Sequence, residues 1–250
     1  MIEALNLVKK FGDFVAVDGI NLKILPGEIY GFLGPNGAGK TTTIRMLTGT
    51  LKPTFGKIRI LGMDMEDHEI EIKRSIGVVP EEPKLYPYLK GYEFLNFITE
   101  IFKENPKEMK KRIEELCDAF DVNFLDRYIS EYSHGMKQKL MVISVLMRKP
   151  KVVFLDEPTV GLDAKSAKIL KILLRKMAEE GATIFLTTHV LEIAEKMCDR
   201  IGIIDKGKLI AEGTLEELRR MEGEFKASLE DLFLKLTGQG EEVERIVREL

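Results

Sequence analysis

The sequence predicts an α/β fold, a mainly parallel sheet with flanking helices, and three observations predict it. Short, wholly apolar runs such as Ile29–Leu33 and Val152–Leu155 suit strands buried on both faces. Such runs alternate with stretches of helical periodicity, an order that lays consecutive strands side by side in one sheet. One run leads through Gly34-Pro35-Asn36-Gly37-Ala38-Gly39-Lys40-Thr41 into the start of a helix, which is the strand–loop–helix setting of a phosphate-binding loop, G-x-x-x-x-G-K-[ST].

Taken in order, residues Met1 to Glu28 read as short strands broken by turns at Gly12-Asp13, Asp18-Gly19 and Pro26-Gly27-Glu28. Ile29–Leu33 is the strand before the loop, and Thr42–Leu51 begins the helix after it. Lys57–Leu61 and Ser75–Val79 read as further strands. From Tyr92 to Met147 the pattern changes to a helical block, with Tyr92, Leu95, Phe97, Ile98, Ile101 and Phe102 on one stripe and Met109, Ile113, Leu116, Cys117 and Phe120 on another. Asn105-Pro106 breaks this block and Arg148-Lys149-Pro150 ends it. Val152–Leu155 is a strand, about Ala164 to Glu180 a helix closed by Gly181, and Ala182–Thr187 and Ile201–Asp205 are strands with a helix between them. Beyond Gly213 the chain turns helical and charged. There Leu229, Leu232, Phe233 and Leu236 share one face, and Val243, Ile246, Val247 and Leu250 another. Both stripes are expected to pack on the main body, the alternative being a dimer or partner contact.

Composition narrows the class. The 250 residues suffice for one domain with an insertion, or two lobes. Charge is nearly balanced at −3, so nothing asks for nucleic acid as a partner. Cys117 and Cys198 are far apart and form no C-x-x-C, which fits a reducing compartment and two buried small side chains. The N-terminus shows no secretory signal, and no run approaches the roughly 20 apolar residues of a membrane span. Any service to a membrane would therefore run through a partner.

The loop carries its own chemistry. Its glycines let the backbone wrap a phosphate chain and turn N–H groups inward, and the helix start adds a positive dipole end. Lys40 supplies charge to the β/γ-phosphates and Thr41 a hydroxyl for Mg²⁺. Asp156-Glu157 directly follows a buried strand, which puts two carboxylates at the sheet edge where ligands bind in such folds. Asp156 suits Mg²⁺, commonly through a water, and Glu157 suits polarising an attacking water; the plain alternative is a solvated turn before Pro158. His189 ends a strand and is either a structural hydrogen-bonder or a γ-phosphate contact. Ser133 is an N-cap for the helix that begins near His134, Gly135 and Met136, and that helix start is also a second anion site; whose phosphate it would take is left open.

Together these segments resemble the ATP-binding subunit of an ABC transporter, over nearly the whole chain and in the family's motif order. Gly34–Thr42 is similar to the Walker A loop, Val152–Glu157 to the Walker B strand with its catalytic glutamate, Gly161-Leu162-Asp163 to the D-loop and His189 to the switch histidine. Phe11 resembles the aromatic residue that stacks on adenine. The resemblance implies a phosphate-loop NTPase core with an N-terminal antiparallel β subdomain, and a helical subdomain inserted at about 88–150. On this reading residues 1–215 form the ATPase domain and 216–250 a C-terminal helical extension. It implies ATP and Mg²⁺, with Phe11, Ala16, Asn36, Gly37, Gly39, Lys40, Thr41 and Thr42 on the nucleotide. Thr41, Asp156 and Glu81 would attend the metal, with Glu157 and His189 as catalytic groups.

Tyr132-Ser133-His134-Gly135-Met136 stands where the family carries Leu-Ser-Gly-Gly-Gln, and Glu81 where it carries the Q-loop glutamine. His134 and Met136 depart from the pattern, while Ser133 and Gly135 remain. These departures, with Ser228-Leu229-Glu230-Asp231-Leu232-Phe233, resemble a branch that powers bacterial and archaeal export or drug resistance. The implied mechanism is a head-to-tail dimer, formed with a second copy or a related ATPase subunit. In it Ser133 and Gly135 of one protomer close over ATP held by the other, while Glu81, Asp163, His134 and Met136 serve the dimer or coupling to transmembrane permease subunits. The implied location is cytoplasmic, peripheral on the inner face of the cell membrane. The rival readings are a soluble ABC-type ATPase with a non-membrane partner and a non-catalytic ATP-binding module.

Overall fold

The computed structural model describes residues 1–221, 223 and 227–238. Its strands are β1 (Ile2–Phe11), β2 (Phe14–Ile24), β3 (Ile29–Leu33), β4 (Phe55–Ile60), β5 (Met63–Asp64), β6 (Ile76–Val79), β7 (Val152–Asp156), β8 (Thr183–Thr187), β9 (Arg200–Asp205) and β10 (Lys208–Gly213). Its helices are α1 (Lys40–Leu47), α2 (Glu69–Ser75), α3 (Gly91–Ile101), α4 (Pro106–Ala119), α5 (His134–Leu146), α6 (Ala164–Glu179), α7 (Leu191–Met197), α8 (Leu215–Met221) and α9 (Leu229–Leu236).

Six strands form one sheet in the order β10-β9-β3-β8-β7-β6. Every neighbouring pair in it is parallel except β9 and β10, which form an antiparallel hairpin. The apolar runs sit here because both faces are covered. Ile29, Val153, Leu155, Ile184 and Leu186 join the core under α3 to α6. The alternate residues Tyr30, Phe32, Val152, Phe154 and Phe185 join the core on the opposite face, with α1 and the second sheet. The period of two along each strand thus splits one apolar run between two cores. Phe185 is the centre of the second, with ring centroids 5.8 Å from Tyr30, 5.4 Å from Phe32 and 5.8 Å from Phe154. β6 is an edge strand with β7 as its one partner.

The second sheet, β2-β1-β4-β5, is antiparallel. The expectation of short strands broken by turns is corrected here: β1 and β2 run 10 and 11 residues. Asp18-Gly19 lies inside β2 instead of ending it, because the β1–β2 pairing absorbs it as register shifts between Ala4 and Lys10, the usual effect of bulges. The helical block is α3, α4 and α5. Its break at Asn105-Pro106 is an N-cap, with the Asn105 side chain accepting from the Lys107 N–H at 3.0 Å and Pro106 opening α4. Arg148 ties the end of the block to the edge of the main sheet: its guanidinium stacks on Phe102 at 3.2 Å and donates to the carbonyls of Arg74 at 2.8 Å and of Ile76, the first residue of β6, at 3.4 Å. The stripe Leu229, Leu232 and Phe233 packs with Leu33, Ala194, Ile201 and Ile203 on the main body, and Leu236 adds to the same cluster. The second stripe, Val243, Ile246, Val247 and Leu250, lies outside the described residues.

Candidate nucleotide site

β3 delivers the loop to the C-terminal edge of the parallel sheet, and α1 carries the chain away from it. Gly39 shows why the loop needs glycine: its φ is +109°, and a Cβ there would stand 2.6 Å from the Ala16 carbonyl oxygen. The start of α1 has no side-chain cap and no acidic residue in its first turn. Its leading N–H groups therefore stay available to an anion. Lys40 is 9% exposed, and its Nζ donates to the carbonyls of Gly34 at 2.7 Å and Pro35 at 3.1 Å. Burial pulls its pKa below the ordinary 10.5, against the opposing pull of Glu157, Asp156 and Glu81.

β7 brings up the carboxylates. Asp156 pairs with Thr187 across the β7–β8 ladder, and the Thr187 hydroxyl donates to Asp156 Oδ1 at 2.5 Å. Glu157 sits just past the strand at φ +49°, in the left-handed region that a side chain occupies only when its surroundings hold it there. Its N–H donates to the Thr187 carbonyl at 3.2 Å. Its carboxylate is buried, and Oε2 lies 2.9 Å from His189 Nδ1. That approach lacks hydrogen-bond geometry, so Oε2 has no hydrogen-bond partner.

These groups line one open cleft of about 530 Å³, bounded by Phe11, Phe14, Ala16, Asn36, Gly37, Gly39, Lys40, Thr41, Thr42, Glu81, Asp156, Glu157 and His189. The cleft so gathers residues spread over nearly 180 positions of chain. Phe11 and Phe14 are both half exposed or more, at 51% and 64%, at the tip of the β1–β2 hairpin. Sequence reasoning missed Phe14 and Thr187. Phe14 follows the Gly12-Asp13 turn and so returns beside Phe11, a pairing that a tight hairpin would have signalled.

Ser133, His134, Gly135, Met136 and Asp163 do not line this cleft. They form a separate cluster at the start of α5 and α6. Ser133 Oγ accepts from the Met136 N–H at 3.3 Å as the N-cap of α5. Asp163 caps α6, accepting from the Ser166 N–H at 2.8 Å, and meets Lys139 Nζ at 2.8 Å. Those contacts, with Lys139 first, hold the Asp163 carboxyl well below the usual carboxylate range. A Cβ on Gly135 would stand 2.6 Å from the Gly161 carbonyl oxygen, and the His134 ring lies against Gly161.

A family profile described as ABC transporter matches residues 17–160, from the loop's lead-in to just past Glu157. The chain belongs to the ABC transporter family. Its sequence is 38% identical to the probable multidrug ABC transporter ATP-binding protein YbhF of Escherichia coli, over 88% of this chain and 38% of that protein. It is also 38% identical to the daunorubicin/doxorubicin resistance ATP-binding protein DrrA of Streptomyces peucetius, over 94% of this chain and 69% of that one. The chain thus spans well under half of the YbhF length and about two thirds of DrrA's. A solved ATP-binding subunit of an ABC transporter superposes with a TM-score of 0.92 at 32% identity, covering 95% of this chain and 99% of that one. A dimeric post-hydrolysis ATP-binding cassette, MJ0796 bound to ADP and phosphate, superposes at 0.78 with 28% identity, covering 86% and 99%. The cassette fold and ATP as its ligand follow from this membership.

Proposed function

We propose that this cassette hydrolyses ATP to drive a membrane exporter, closing and opening as a two-fold dimer. The observation that carries the reading is Glu157 Oε2, a buried carboxylate oxygen with no hydrogen-bond partner in the cleft that also holds Lys40 and the uncapped start of α1. A buried acceptor left unpaired is costly, and a water beside the γ-phosphate satisfies it.

The phosphates lie on the α1 N–H groups, where Lys40 turns from its own carbonyls to the β/γ-oxygens. Phe11 and Phe14 offer exposed rings for the base, and Ala16, Asn36, Gly37, Gly39 and Thr42 shape the floor. Water attacks the γ-phosphorus, the bond to the β–γ bridging oxygen breaks, and Glu157 accepts the water's proton. His189, with Nδ1 2.9 Å from Oε2, closes the open side of that carboxylate. The Thr41 hydroxyl and the Asp156 and Glu81 carboxylates are hard oxygen donors suited to Mg²⁺. No group of three or more Asp, Glu, His or Cys side chains among the described residues is placed to hold a metal ion by itself, so the ion would draw its other ligands from phosphate and water. When bound it supplies charge neutralisation to the phosphates.

Ser133 and Gly135 stand outside the cleft of their own chain, which fits a role on the nucleotide of a second copy or a related subunit in a self-complementary interface. His134, Met136 and Asp163 belong to that same surface. The dimeric cassettes among the structural relatives support this arrangement, and the drug-resistance proteins among the sequence relatives support export. Beyond Glu81 in the chain, Tyr86, Tyr88, Tyr92, Phe97 and Tyr128 are exposed, with Tyr86 against Phe97 and Lys90 against Tyr92 and Tyr128, an aromatic surface suited to transmembrane permease subunits. Among the described residues no helix is long and apolar enough to cross a membrane. A peripheral seat on the inner membrane face, through the permease, is part of the proposal, as is the division into a 1–215 ATPase domain and a 216–250 extension.

The test is Glu157→Gln. It should slow phosphate release by about a hundredfold or more while ATP binding persists, and an ATP-dependent dimer should accumulate in size-exclusion chromatography. Hydrolysis at the unmodified rate removes Glu157 from catalysis.

A further inference from the structure

The segment that carries Glu157 is gripped from behind by the first turns of α5. Gln138 is fully buried there, and its Nε2 donates to the Pro158 carbonyl at 3.4 Å. Its Oε1 is also buried and has no hydrogen-bond partner. One residue on, Lys139 meets Asp163 at 2.8 Å; one turn back, His134 and Gly135 lie against Gly161. α5 therefore holds the loop from Glu157 to Asp163 at its beginning, middle and end.

We infer that Gln138 is a positioning residue for hydrolysis, fixing the carboxylate of Glu157 in its own chain through the Pro158 carbonyl. The inference rests on the proposed ATPase reading. Glu157 at φ +49° must be held on both sides. On its N-terminal side the Thr187 carbonyl takes its N–H. On its C-terminal side its own carbonyl accepts from the Val160 N–H at 3.1 Å, and Pro158, which has no N–H to anchor, can be held only through its carbonyl. Gln138 is the donor it has, and no other hydrogen bond among the described residues reaches that oxygen. Because a carbonyl can only accept, the amide nitrogen must face Pro158, which consigns Oε1 to the core without a donor. A side chain present for packing alone would be better served by Met or Leu, which bury no unpaired oxygen. The amide stays useful only if the position of Pro158 matters, and Pro158 is bonded to Glu157. A displacement of about 1 Å at a reacting group costs on the order of a hundredfold in rate.

α5 also begins with Ser133 and Gly135, so a lesion at Gln138 has two possible routes to lost activity, and they differ in sign at the dimer. A misplaced Glu157 leaves ATP unhydrolysed and the dimer closed. A disturbed α5 start weakens the grip on ATP and the dimer fails to form. Gln138→Met is therefore expected to lower kcat by roughly ten- to a hundredfold, with KM for ATP changed by less than about threefold. An ATP-held dimer should persist in size-exclusion chromatography, as with Glu157→Gln. Gln138→Asn, which keeps an amide but falls short of Pro158, should shift the same quantities the same way, and it carries the test if the Met variant does not fold. Unchanged kcat, or lost activity together with a lost ATP-held dimer, overturns the inference. Failure of the proposed function itself reads differently: the unmodified chain then releases no phosphate, or Glu157→Gln forms no ATP-held dimer.

Discussion

The Lys40 ammonium rests on two carbonyls of its own loop, buried and below its ordinary pKa. Phosphate oxygens favour the charged form, so nucleotide raises that pKa again, and binding takes up protons wherever free Lys40 is partly neutral. ATP affinity should then fall as pH rises toward the ordinary lysine value of 10.5, with proton uptake growing as free Lys40 loses its proton, as read by titration calorimetry in buffers of different ionisation enthalpy. Lys40→Ala should lose both the binding and this linkage; retained affinity would remove the loop from the phosphates. Lys40, Thr41, Asp156 and Glu157 were legible in the sequence because each stands in a contiguous motif beside an apolar strand. Thr187 and Gln138 were not. Thr187 matters through a cross-strand register with Asp156, and Gln138 through a helix meeting a loop 20 residues away.

At the scale of elements, the strands of the parallel sheet were readable because burial on both faces leaves no polar position to interrupt the run. β10 was missed because it alternates in burial and follows β9 after a two-residue turn, Lys206-Gly207, with both residues at positive φ. Such a turn signals a hairpin, but lysine in its first position hides it. α2 was missed because its seven residues bury Ile72 alone, too little for a helical stripe. Phe185 shows what the central strands contribute. It is fully buried and meets three aromatic rings, so Phe185→Ala should lower unfolding free energy by about 3–5 kcal/mol, measured by denaturant titration. Because β8 also carries Thr187, that variant should lose hydrolysis before it loses its fold, with nucleotide binding at Lys40 less affected.

At the scale of the molecule, Glu81 lines the nucleotide cleft, and the chain that follows it carries the exposed Tyr86 and Tyr88. Tyr88 is 88% exposed. Tyr88→Ala should leave phosphate release by the purified protein within about twofold, since surface substitutions of this kind seldom cost more than a few tenths of a kcal/mol. Co-purification with a membrane partner should fall. Equal recovery of the partner would move the docking surface elsewhere. The family's division of labour was legible in the sequence, but this surface was not, because Tyr128 reaches the segment after β6 only through its pairing with Lys90.

The position of β6 at the sheet edge bears on how force would travel. A central strand is clamped by ladders on both sides, whereas β6 is held by one, and the chain leaving it runs past Glu81 into the aromatic face. Like β10 at the other rim, it is held by a ladder on one side only and yields more readily than the strands between them. Under the proposed docking, a load applied at the tyrosines would enter the sheet through that rim, along the chain that carries Glu81 into the cleft.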